Sequence, residues 1–200
     1  PSRLLKGLRD CGLSSKDISA VVLTHLHFDH AGGCTRLDHV GNVVPTFPRA
    51  AYYAEKGSWE EARNPNERAR SSYHPDDFLP LKALEERGQL VLLEGDTELL
   101  PGLFMRVTNG HSRDHTVVVF NHGGERVVFM GDLVPTVHHL ELSCIAASDQ
   151  NPEDTLVKKR ELLDQIEREG WLMVFYHGYE HRAGYLERRN GKRQFRPVEL

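Results

Sequence analysis

The sequence predicts one soluble α+β domain built from layered sheets, and three observations carry that expectation. Short apolar runs rich in β-branched residues recur along the chain and read as strands. One strongly marked helix occupies 152–169. Metal-type side chains follow directly after several of the apolar runs, as expected if one rim of the layered structure carries a site. Two hundred residues suffice for a buried core, and no repeat or linker divides them.

The elements follow in order. Ser2–Leu13 has the spacing of an amphipathic helix, with Leu4, Leu5 and Leu8 on one face. Ile18–Thr24 is a nearly continuous apolar run and predicts a strand buried on both faces. Further strands are expected at Ala50–Ala54, Leu90–Leu93, Leu103–Thr108, Thr116–Phe120, Arg126–Met130 and Trp171–Tyr176. Asn121-His122-Gly123-Gly124 marks a hairpin turn between two of them. Helices are expected at Ser58–Arg63, Leu81–Arg87 and Pro152–Glu169. The last has Asn151 as cap, Pro152 at its first position, a stripe of Leu156, Leu162, Leu163 and Ile166, and Gly170 as its stop. The stretch from Thr46 to Pro80 reads as an irregular insertion, whose Tyr52, Tyr53, Trp59, Tyr73 and Phe78 either roof a pocket or form a local packing or dimer contact.

Composition narrows the function classes. A formal charge of −4 argues against a dedicated nucleic-acid binder. The basic tail from Arg182 to Arg196 reads as a solvated edge hairpin, with an anionic partner as the alternative. Three isolated cysteines, Cys11, Cys34 and Cys144, give no disulfide framework, suit a reducing compartment and read as small core residues. No run approaches the roughly 18 to 20 apolar residues of a membrane helix and no signal peptide opens the chain, so a cytoplasmic protein with no membrane partner is expected. The absence of an initiator Met suggests that an earlier segment is missing.

The chemistry concentrates in His25-Leu26-His27-Phe28-Asp29-His30, which places four metal-binding side chains in six positions. Chance would produce such a cluster on the order of 0.003 times in a chain of this composition, so a metal site is the leading expectation. In extended chain His25 and His27 point to the same side and can share one ion. His30 breaks that phase, so the chain must bend there, and Ala31-Gly32-Gly33 offers the small residues for the bend. Gly110-His111-Ser112, Gly131-Asp132 and His177-Gly178 each follow an expected strand.

His25-x-His27-x-Asp29-His30, then Gly110-His111-Ser112, Gly131-Asp132 and His177, resemble the metallo-β-lactamase superfamily of dinuclear metal hydrolases, in the family's order and over nearly the whole chain. The resemblance implies a four-layer αββα sandwich whose N-terminal strands are absent here. It implies that His25, His27 and His111 hold one ion, that Asp29, His30 and His177 hold the other, and that Asp132 bridges them. His177 is preferred to His181 because it leaves its strand directly. The ions are expected to be two divalent cations, zinc first, with iron or manganese as alternatives. A hydroxide between them would attack a lactone, ester or thioester, with Asp29 and Asp132 as catalytic carboxylates and a phosphotriesterase side activity. Retained alternatives are a mononuclear-iron, persulfide dioxygenase-like oxidoreductase and a non-catalytic truncated remnant. The partner expected is a small-molecule substrate, with a homodimer as the assembly considered.

Around this set, His115 is expected to support the ligands from behind, and His138 and His139 to touch substrate or donate a proton. Ser112 reads as structural, and His39, His74 and His122 as solvated loop residues.

Overall fold

A computed structural model describes residues 3–199. They divide between Glu94 and Gly95 into two compact units, each with its own apolar core.

The first unit opens with helix α1 (Arg3–Asp10), which packs Leu5 and Leu8 on the core and leaves Leu4 exposed. Strand β1 (Ala20–Val22) is followed by one helical turn, α2 (Phe28–Ala31), and by a small hairpin, β2 (Thr35–Leu37) with β3 (Val43–Pro45). Strand β4 (Ala51–Glu55) runs straight into helix α3 (Lys56–Arg63); the short helix α4 (Pro75–Phe78) and a 3₁₀ stretch at Leu79–Arg87 precede strand β5 (Leu90–Leu93). The sheet order is β1-β4-β5, all parallel, with Val21 opposite Tyr52 and Tyr53 opposite Val91. Parallel strands share one carboxyl edge, so the chain leaving β1 delivers the histidine cluster there.

Several expectations for this unit need correction. The Ile18–Thr24 strand is regular only over Ala20–Val22, and that stretch is half-buried because β1 lies at the edge of its three-stranded sheet. The expected helix at Leu81–Arg87 is a 3₁₀ stretch that begins at Leu79. The region from Thr46 to Pro80 holds the central strand and the core rather than an irregular insertion: Tyr52, Trp59, Tyr73 and Phe78 are buried, Trp59 meeting Phe78 edge-on at 5.6 Å. That burial favours the packing alternative, while Tyr53 is half-buried. Cys11 is exposed and Cys144 half-exposed, so of the cysteines Cys34 alone is a core residue. Ser2, placed in the expected first helix, lies outside the described residues.

The second unit is a seven-stranded sheet. β6 (Thr97–Leu100), β7 (Leu103–Val107), β8 (Thr116–His122) and β9 (Glu125–Phe129) form an antiparallel meander. The β8–β9 turn is Gly123-Gly124, both at positive φ, as a two-residue hairpin requires. Helix α5 (Pro152–Glu169) then carries the chain back to β10 (Leu172–Val174), which pairs parallel with β9. β11 (Ala183–Arg189) and β12 (Lys192–Val198) complete the order β12-β11-β10-β9-β8-β7-β6. Their turn is Asn190-Gly191, a hairpin signal that the basic composition of the tail obscures.

Helix α5 ends at Gly170 in the left-handed conformation, as expected. Its buried face is Thr155, Lys159, Leu162, Leu163 and Ile166, with Leu156 only partly covered; Asn151 occupies the cap position without capping through its side chain. The basic hairpin is largely neutralised from within. Arg188 binds Glu167 through two nitrogens, Arg193 binds Glu167 and Asp164, and Arg196 and Arg189 bind Glu187. That pairing favours the solvated hairpin over a handle for an anion. No helix among the described residues is long and apolar enough to cross a membrane.

Candidate metal-ligand sets

In the first unit the candidate ligand set comes from one continuous segment. Leu23 still donates to Tyr53 O, and the chain then leaves the sheet with Thr24, His25, Leu26 and His27 all buried. His27 is extended (φ −61°, ψ 150°) and serves as N-cap of α2, so the bend begins at Phe28, ahead of the glycines expected to make it. His30 N and Ala31 N both donate to His27 O, which closes the turn and throws His30 out of the strand phase. The rings of His25 and His27 lie 4.5 Å apart edge-on, and those of His25 and His30 lie 4.1 Å apart. Asp29 is exposed and its Oδ2 stands 3.6 Å from His30 Nε2. Gly32 has an ordinary helical φ of −59°, and its role is close approach: a Cβ there would sit 2.6 Å from Phe28 O. Behind the cluster, Thr24 Oγ1 is 3.1 Å from His25 Nδ1, and the Tyr73 ring meets His27 edge-on at 4.9 Å. Tyr73 donates its hydroxyl to Glu61, and burial followed by that carboxylate drives its pKa far upward.

In the second unit the candidate ligand set comes from three separate loops, and topology explains their meeting. β7 and β9 are each antiparallel to β8, and β10 is parallel to β9, so β7, β9 and β10 all point the same way. His111, Asp132 and His177 follow those three strands and emerge at one rim. There Asp132 Oδ2 lies 3.2 Å from His111 Nε2, and Asp132 Oδ1 lies 3.4 Å from His177 Nε2. His177 donates its backbone N–H to Pro135 O and keeps 38% of its side chain exposed.

Supporting contacts settle which nitrogens are available. His111 Nδ1 lies 2.9 Å from Asp149 Oδ1, and an ionised carboxylate only accepts, so Nδ1 is the donor there and Nε2 is the nitrogen turned to Asp132. Thr155 Oγ1 donates to the other oxygen of Asp149 at 2.7 Å. His115 is fully buried and works differently. Its Nε2 accepts the backbone N–H of Asp132 at 2.9 Å, so Nδ1 bears the proton and donates to Thr108 Oγ1 at 2.7 Å. Both ring nitrogens are engaged in holding the start of the Asp132 loop. Gly131 is required beside it, having φ +50° and a would-be Cβ 2.6 Å from His115 Nε2.

The other named residues are distributed as follows. His138 and His139 sit on a 3₁₀ turn, Val137–Leu140, capped by Thr136, whose Oγ1 accepts from His138 N and lies 2.8 Å from His139 Nδ1. His138 is exposed. Burial, then the Lys159 ammonium, hold the His139 imidazole below its usual range. His181 lies against Phe195, at 5.9 Å between rings. Ser112 Oγ is buried. His39 is exposed, His74 stacks on Phe28 at 4.9 Å, and His122 ends strand β8 rather than lying in a loop. Cys34 is a buried thiol, and burial pushes its pKa up to about 12. Sequence reasoning missed Asp149 and Thr155. Asp149 is 38 positions from His111 and has only a loop-to-helix setting as a signal.

Comparison with known proteins agrees with this architecture. The family model described as the metallo-beta-lactamase superfamily matches residues 2–184. The N-acyl homoserine lactonase AiiA of Bacillus thuringiensis subsp. kurstaki is 24% identical over 179 residues, covering 89% of this chain and 63% of that protein. The chain thus spans less than two thirds of that relative's length. A solved structure described as a probable metal-dependent hydrolase from Staphylococcus aureus superposes with TM-score 0.86 at 28% identity, covering 100% of this chain and 69% of the other. A dizinc quorum-quenching lactonase, AidC, solved with N-hexanoyl-L-homoserine as product, gives TM-score 0.80 at 20% identity over 98% of this chain and 70% of its own. With a family match over residues 2–184, the chain belongs to the metallo-β-lactamase superfamily and has its α+β fold.

Proposed function

We propose that this chain forms a metal-dependent hydrolase domain that opens lactones or cleaves esters or thioesters. The observation that carries the reading is the Asp132 carboxylate, which turns one oxygen to His111 Nε2 and the other to His177 Nε2. His111 Nε2 faces Asp132 Oδ2 at 3.2 Å while Nδ1 is engaged by Asp149. Two lone pairs at that distance cohere only with a proton or a cation between them, and imidazole with carboxylate is a donor set for a borderline divalent ion. The residues therefore fit the metals that the family implies. His25, His27 and His111 would hold one ion, Asp29, His30 and His177 the other, and Asp132 would bridge them. Zinc is the ion assigned, supported by the donor set and by the dizinc description of the AidC structure.

Bound there, two divalent cations would make water acidic near neutral pH and polarise the substrate's carbonyl oxygen. The chain supplies the rest. Asp29, exposed beside His30, is placed to accept and pass on a proton. Asp149 keeps His111 in one tautomer, and His115 holds the Asp132 loop from behind. The names of the lactonase relatives support a lactone as first substrate, with phosphotriesters as a side activity. Three unbridged cysteines support a reducing, cytoplasmic setting, and a family match over residues 2–184 supports one catalytic domain. A homodimer is the assembly put to test by light scattering.

The decisive experiment is metal content followed by a panel of lactone, thioester and phosphotriester substrates. Two zinc equivalents per chain with lactone hydrolysis are expected. A single iron, or no metal at all, sinks the proposal.

A further inference from the structure

Helix α5 buries two polar side chains one turn apart, Thr155 and Lys159, and their i,i+4 spacing sets both on one face. Lys159 is 0% exposed, and its ammonium donates to the carbonyls of Glu141 at 2.6 Å, Cys144 at 2.7 Å and Leu142 at 3.5 Å. Thr155 Oγ1 donates to Asp149 Oδ2, whose other oxygen receives His111 Nδ1–H. The stretch from 141 to 151 is thus fastened to α5 near both of its ends. Its last residues are fastened to the His111 loop as well: Gln150 N donates to His111 O at 3.3 Å and Asn151 N to Gly110 O at 2.8 Å.

Burying an ammonium costs several kcal/mol unless it is fully hydrogen-bonded, and a core-filling role at 159 needs only Met or Leu. The lysine instead satisfies three carbonyls of a segment with no sheet or α-helix of its own. That segment carries Asp149, whose carboxylate engages His111 Nδ1 and leaves Nε2 turned to Asp132.

We propose that Lys159 and Thr155 are positioning residues for the His111 ligand, acting through the 141–151 segment and Asp149. The inference rests on the reading of His111 as a metal ligand.

The test compares Lys159→Met, Thr155→Val, the double variant and two controls. Lys158→Met removes an exposed neighbour paired with Glu161, and Leu163→Ala opens the core on the same helix. On each metal-free protein one measures zinc affinity by chelator competition, thermal midpoint, and the His111 tautomer from nitrogen-coupled imidazole NMR. Lys159→Met and Thr155→Val should each weaken one zinc site about 10–100-fold, as loss of a supporting partner does. The His111 spectrum should then show tautomer exchange. The double variant should lose less than the product of the two single effects, because both act on one segment. Leu163→Ala should lower the midpoint at least as far with zinc affinity kept within about twofold. Unchanged zinc affinity and tautomer in both single variants overturn the proposal, as does an equal zinc loss in Leu163→Ala. Thr155→Val is nearly isosteric and keeps the test readable if Lys159→Met fails to fold. A wild-type protein that binds no zinc overturns the proposed function, while the His111 spectrum still decides the positioning role.

Discussion

The two units gather their candidate ligands in opposite ways. In the first, His25, His27, Asp29 and His30 come from six consecutive residues, and their geometry is made by local backbone: an extended run, a cap at His27 and one helical turn. In the second, His111, Asp132 and His177 come from loops that span 67 positions, and their geometry is made by sheet direction and by residues behind each ligand. The difference teaches where each set is vulnerable. A contiguous motif is spoiled by changes inside or next to it, whereas a dispersed one is spoiled by changes at a distance.

The largest expected effect makes the two units equal. His25→Ala and Asp132→Ala should each reduce hydrolysis of the best lactone on the order of 10³-fold or more, since each removes a ligand from a centre worth several kcal/mol. Retention of activity by either one would mean that its unit contributes no ligand.

Asp149→Asn separates the units. It should weaken zinc binding about 10–100-fold with little change in circular dichroism, because it disturbs His111 from 38 positions away. In the first unit the comparable remote contact is Tyr73, whose ring meets His27 edge-on. Gly32→Ala should instead act from next to the motif, where the new Cβ meets Phe28 O.

Gly131→Ala is the stability counterpart in the second unit. Its φ of +50° and the His115 ring allow no Cβ, so the urea midpoint should fall by an amount equivalent to roughly 1–3 kcal/mol. His115→Ala in that background should not restore it fully, since the backbone strain remains.

Smaller effects test burial in each unit. His139 is held below its usual range in the fold, so the folded state resists protonating it. The stability this neutral form contributes is present above the unfolded imidazole value and is lost as the pH falls through the folded one. His139→Gln should flatten that acid-side loss in denaturant titrations. In the first unit, a thiol reagent at pH 8 should label exposed Cys11 quickly and leave Cys34 unlabelled until the protein unfolds.

The legibility of the fold follows the same division. Each strand expected from an apolar run exists, with ends shifted by a few residues, because a buried strand needs that composition wherever it lies. The strands at Thr35–Leu37, Val43–Pro45 and Thr97–Leu100 escaped notice because they are short and partly exposed, and they carry little apolar signal. The aromatic residues of Thr46–Pro80 were legible as a cluster but not as a core. Aromatic content does not say which face of an element turns inward.

By itself the sequence determined the family. The spacing His25-x-His27-x-Asp29-His30, with His111, Asp132 and His177 after apolar runs, resembles the metallo-β-lactamase superfamily to which the chain belongs, and such spacing is a local property of the chain. Only the tertiary structure decided the protonation and support of those ligands. It assigned both nitrogens of His115 to holding the Asp132 loop, gave His111 its tautomer through Asp149, and put an ammonium at Lys159 under the segment that carries Asp149. The physical reason is that a hydrogen bond depends on distance and direction in space, and residues 17 to 38 positions apart acquire those only when the sheet closes.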